Sequence, residues 1–102
     1  MNKGMQKSLR ETLGGLNYEK IILFGSRAKD ESSETSDYDI LIIVQNGLAI
    51  EEKMRLSGRL RKELARKGID ADIIIKSNDE VEYYKDKIGS VVKTALNEGV
   101  AL

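Results

Sequence analysis

The sequence predicts an α/β (α+β) fold: a small mixed β-sheet with helices packed on it. Three observations carry this. The apolar runs 20–24 (KIILF), 38–44 (YDILIIV) and 71–75 (ADIII) read as strands. Segments with apolar residues at helical spacing precede, separate and follow them. Residues 49–67 are long enough for a crossover helix, whereas 26–36 are too polar for more than one helical turn. The crossover makes the second and third strands parallel, and the short connection favours an antiparallel first pair.

In chain order, Met5, Leu9, Leu13 and Leu16 mark a first helix that frays at Gly14-Gly15. Gly25 stops the first strand. Asn46-Gly47 closes the second. Helix 49–67 carries a broad stripe of Ile50, Met54, Leu56, Leu60 and Leu64, and Gly68 is a good C-terminal stop. After the third strand, Ser77 and Glu80 have capping-box spacing. Val81, Tyr84, Ile88, Val91 or Val92, and Ala95 give the inward face of the closing helical region. Gly89-Ser90 is placed to split that region, and Gly99 to end it.

Composition narrows the chemistry. The 102 residues are expected to form a single domain, 1–102, with 17 basic and 17 acidic side chains and a net charge of zero. There is no Cys and no His, which removes disulfides, thiolate nucleophiles, Cys-based zinc sites and imidazole bases. Any metal must be held by oxygen, which favours Mg²⁺, Mn²⁺ or Ca²⁺. No stretch approaches the ~20 apolar residues of a membrane span, and no signal-peptide core follows Lys3 and Lys7. The reading is intracellular and cytoplasmic. From Lys53 to Gly68 there are seven bases and one acid, Glu63. This is a solvated face or a docking surface for RNA or an acidic partner. Zero net charge and five aromatic residues argue against a dedicated nucleic-acid binder.

Two constellations carry chemistry. Asp37 and Asp39 stand at the start of the second strand with one residue between them, so their carboxylates share a face. Like charges ~4 Å apart repel by ~1–4 kcal/mol, and a divalent cation between them relieves this. Asp72, on the third strand, completes a three-acid cage if the two strands are neighbours. Asp70 shares its face but sits at the edge of the apolar run, which makes Asp72 the better candidate. The second constellation is Gly25-Ser26-Arg27-Ala28. Gly lets the backbone approach a ligand. The amides of a helical turn starting at Ser26, with the Ser hydroxyl and the Arg guanidinium, suit phosphate. An anion cradle facing a carboxylate cage describes a site for a Mg²⁺-nucleotide. Each piece alone is also a common turn, cap or edge residue; the order in which they occur is what singles them out.

That order, GSRAKDESSETSDYDI with the later DADIII strand and the closing IGSVVKTALNEGVAL, resembles the nucleotidyltransferase signature of the DNA polymerase beta superfamily. More narrowly it resembles the minimal nucleotidyltransferases that serve as antitoxins in HEPN/MNT pairs. The resemblance implies a polymerase beta palm-like sheet. It implies that Gly25 and Ser26 hold the triphosphate of ATP, with Arg27 and Ser36 as lesser nucleotide contacts. It implies that Asp37, Asp39 and Asp72 ligate two Mg²⁺ ions, for which Mn²⁺ can substitute, and that Asp72 also helps activate the attacking hydroxyl. The implied reaction is transfer of AMP to a hydroxyl of a HEPN-type helical partner, on tyrosine. Two alternatives stand beside it: an antitoxin that acts by docking without catalysis, and the catalytic half of a small-molecule, aminoglycoside-like nucleotidyltransferase.

Overall fold

The computed structural model describes residues 3–14, 18–25 and 38–102. The elements are α1 (Lys3–Thr12), β1 (Tyr18–Phe24), β2 (Tyr38–Val44), α2 (Ile50–Arg66), β3 (Ala71–Ser77), α3 (Asn78–Tyr84), α4 (Val91–Glu98) and β4 (Val100–Ala101). Among the described residues no helix is long and apolar enough to cross a membrane.

The four strands form one mixed sheet in the order β3-β2-β1-β4. β2 runs antiparallel to β1 and parallel to β3, as the two connections require. β1 begins two residues earlier than its apolar run, because Tyr18 pairs with Val44 across an irregularity between Tyr18 and Lys20. β4 was not expected. It is two exposed residues held by pairing of Ala101 with Ile22 and Val100 with Leu23.

Strand alternation divides the apolar side chains between two faces. On one, Ile21, Leu23, Ile40, Ile42, Val44, Ile73 and Ile75 meet Leu9 of α1, Leu13 just after it, and Leu60 and Leu64 of α2. On the other, Ile22, Phe24, Leu41 and Ile43 meet Ala95 of α4, with Ile74 and Val81 beside them. Burying an aliphatic side chain of this size contributes ~1.5–3 kcal/mol, so Leu9 and Leu13 hold α1 to the sheet and Leu60 and Leu64 hold α2.

α2 ends where Gly68, at φ +78°, takes up a left-handed conformation. Its amide and that of Ile69 turn back to the carbonyls of Ala65 and Leu64, each at 3.0 Å, satisfying the helix end. At the start of α3 the Glu80 carboxylate accepts the Ser77 amide at 3.0 Å and the Ser77 hydroxyl at 3.1 Å. The serine's amide and hydroxyl thus both meet the glutamate, the pairing that the capping-box spacing predicts.

Two expectations about inward faces are corrected. Ile50 and Met54 are 73% and 69% exposed, because they stand on the side of α2 that lines an open groove beside β3, whereas Leu56, Leu60 and Leu64 face the core. Ile88 is 95% exposed and Tyr84 and Val91 are partly so, because the closing region breaks after Tyr84 and resumes at Val91. Of that region, Val92 and Ala95 are the residues that enter the core.

Candidate functional site

The site begins where β1 ends. Phe24, Asp39 and Asp72 occupy one row across the sheet: Phe24 is the partner of Asp39, and Asp39 is the partner of Asp72. Neighbouring strands are ~4.8 Å apart, which brings the two acids side by side. Alternation puts both on the face that bears Phe24, Leu41 and Ile74, opposite the α1–α2 layer. Asp39 is half-buried and Asp72 is exposed.

Gly25 follows Phe24 with φ +77°. A Cβ on Gly25 would collide with Asp39 Oδ2 and stand 3.2 Å from Asp39 Cγ. The carboxylate thus fills the space that any other residue's side chain would need. Glycine here serves two purposes: it permits the left-handed turn, and it lets the acid lie against bare backbone.

The Asp72 carboxylate is partnered. Arg61 Nη2 of α2 donates to its Oδ1 at 2.6 Å, with both side chains about half exposed. A second α2 cation, Lys53, donates to Glu80 Oε1 in a mostly buried pair. Partial burial pushes the Glu80 carboxyl up. The hydrogen bond from Lys53, those from the Ser77 amide and hydroxyl, and the Lys53 charge outweigh it and bring the pKa down to about 2. Between the two pairs an open groove of about 600 Å³ follows the outer edge of β3, its apolar lining including Ile50, Met54, Ile74 and Tyr84.

Of the residues singled out from sequence, the structure brings Gly25, Asp39 and Asp72 together. Ser26, Arg27, Ser36 and Asp37 lie outside the described residues. Asp70 precedes β3; its backbone carbonyl accepts the Tyr38 amide at 3.0 Å, while its side chain is exposed. Among the described residues no group of three or more acids is gathered into a metal cage. Arg61 was missed at this site: in sequence it was one of seven bases on a charged helix, and the signal that marks it is its i+4 spacing from Ser57, which also reaches β3.

The donor set is a pair of neighbouring carboxylates with no softer ligand, which fits a hard divalent cation held by oxygen. The bare backbone at Gly25 lets one of these carboxylates lie directly against the end of β1.

Comparison with known proteins agrees in fold and family. The family model described as Polymerase beta, Nucleotidyltransferase matches residues 7–94. A Methanocaldococcus jannaschii protein assigned as a protein adenylyltransferase is 37% identical over 68 residues. That match takes in 67% of this chain and spans 66%, about two thirds, of the relative's length. A solved structure assigned as a minimal nucleotidyltransferase superposes with a TM-score of 0.62 at 22% identity, over 97% of this chain and 89% of that one. A structure of a tri-AMPylated Shewanella oneidensis HEPN toxin in complex with MNT antitoxin superposes with a TM-score of 0.51 at 18% identity, over 96% of this chain and 65% of that one. At these identities the structures establish the fold.

Proposed function

The chain belongs to the polymerase beta nucleotidyltransferase family, and we propose that it transfers AMP from ATP to a hydroxyl of a partner protein, acting as the antitoxin of a HEPN/MNT pair. The observation that carries this reading is the meeting of Gly25, Asp39 and Asp72 at one end of the sheet. The adenylyltransferase assignment of the Methanocaldococcus relative supports the reaction. The AMPylated HEPN toxin in the MNT complex supports the partner.

In this reading Asp37, Asp39 and Asp72 hold Mg²⁺, with two ions expected and Mn²⁺ able to replace them. Bound there, the ions supply charge neutralisation at the triphosphate and lower the pKa of the acceptor hydroxyl. Gly25 and Ser26 hold the triphosphate, Gly25 by close backbone approach and Ser26 as a donor, with Arg27 and Ser36 as further contacts. Asp72 helps remove the proton of the acceptor hydroxyl. The acceptor oxygen forms a bond to the α-phosphorus, the α–β phosphoanhydride bond breaks, and pyrophosphate leaves. The chain's own contribution is positioning and fixed charge, which suits a protein without His or Cys.

The test is incubation with labelled ATP, Mg²⁺ and a co-expressed HEPN partner, followed by mass spectrometry. AMP on a partner tyrosine, absent with Asp39→Ala, is the expected result. A partner that is bound and inhibited equally by the wild type and Asp39→Ala, and that carries no AMP, would show that docking alone is the function.

A further inference from the structure

We propose that Arg61 is a positioning residue for Asp72: its guanidinium holds Oδ1 of that carboxylate and so presents the remaining oxygen to a divalent cation. The inference rests on the reading of Asp72 as a metal ligand and adds to it a residue from outside the acid motif.

The argument starts from helical spacing. Lys53, Ser57 and Arg61 fall at i, i+4 and i+8, on one side of α2. Each reaches the β3–α3 unit. Lys53 Nζ donates to Glu80 Oε1, Ser57 Oγ donates to the Ile73 carbonyl at 2.8 Å, and Arg61 Nη2 donates to Asp72 Oδ1 at 2.6 Å. The three form a polar seam along the outer edge of β3, and the Arg61 end of the seam lies at the site. Ser57 grips the residue next to Asp72, while Leu60 and Leu64, both fully buried, anchor the helix on either side of Arg61.

The topology makes the contact possible. Leu60 and Leu64 pack on one face of the sheet, and Asp72 stands on the other by alternation. Arg61 must therefore reach around a strand edge. It can do so because β3 is the outermost strand on its side of the sheet. An acid on a central strand would be shielded from α2.

The pair adds little as a surface ion pair, since both partners are about half exposed. Its consequence is orientation. An exposed aspartate left alone moves among rotamers, whereas one held at Oδ1 by a single donor offers Oδ2 in a constant direction. Hydrogen-bonded partners of metal-ligating carboxylates act in this way.

Charge and orientation predict opposite outcomes, which makes the proposal testable. On charge alone, removing Arg61 would tighten cation binding, because a positive group has gone. On orientation, it weakens binding. Mn²⁺ is titrated into the full chain with a non-hydrolysable ATP analogue, and free Mn²⁺ is followed by electron paramagnetic resonance. Arg61→Gln is expected to weaken Mn²⁺ binding by about tenfold. Arg61→Lys, which keeps one charged donor, should recover part of the loss. Circular dichroism without metal checks the fold, and Arg61→Ala, with the same expectation, replaces the Gln variant if that variant is unfolded. Unchanged or tighter Mn²⁺ binding in the folded variant overturns the proposal. Asp72→Asn separates the two layers. If it weakens Mn²⁺ binding while Arg61→Gln does not, the role of Arg61 alone fails. If Asp72→Asn is silent, the metal-site reading fails and the role of Arg61 fails with it.

Discussion

Replacing Gly25 with Ala tests whether the exit of β1 and the acid at the start of β2 are built against each other. Gly25 sits at φ +77°, and an L-residue in that left-handed conformation costs ~1–2 kcal/mol. The added Cβ would also enter the space of the Asp39 carboxylate. Asp39 is half-buried between Phe24 and Asp72, so the carboxylate can yield only by rotating away from its rotamer. That adds ~0.5–1.5 kcal/mol. The combined loss is about 2 kcal/mol, or about 8–16 °C in Tm for a domain of this size. The same rotation takes the Asp39 carboxylate out of the place it holds in the row with Asp72, so stabilisation by Mg²⁺ and a non-hydrolysable ATP analogue should fall as well. Thermal unfolding with and without these ligands measures both effects. Gly25→Val should lose more than Gly25→Ala. A Gly25→Ala protein that melts with the wild type and keeps its full ligand response would refute the reasoning.

Two further outcomes follow from the packing. The Glu80 carboxyl is brought from its ordinary value of 4.5 down to about 2, so its stabilisation is complete above 4.5 and is lost as pH falls through about 2. Part of the carboxyl is exposed, which limits the contribution to about 1–3 kcal/mol. Glu80→Gln should remove that amount at neutral pH and flatten the acid dependence of urea unfolding between 4.5 and 2; an unchanged acid limb would discount the Lys53 pair. Leu64, fully buried beneath the sheet, should cost ~2–5 kcal/mol when replaced by Ala, read from the urea midpoint, and a loss below ~1 kcal/mol would mean that α2 is not anchored there.

Residue pattern alone determined the strands and most of the helices. KIILF, YDILIIV and ADIII are short apolar runs, rich in β-branched Ile and bounded by Gly or polar residues, and that length and composition favour a buried strand over a helix. Connection length then settled which strands are parallel, since a helical crossover and a short connection have different reach. The acids Asp39 and Asp72 were legible as candidates for the same reasons, and their neighbouring placement followed from the parallel pairing. Tertiary structure decided what local pattern does not encode. It decided the register that sets Asp39 opposite Asp72, because a parallel pair with a long connection leaves register to core packing. It decided that Ile50 and Met54 stay outside the core, because a broad apolar stripe does not report which part of it faces the sheet and which part an open groove at the sheet's edge. It added β4, whose two exposed residues are held by backbone pairing that no side chain announces. It distinguished Arg61 from the other cations of α2, because only the sheet order makes β3 an edge that an arginine can reach around.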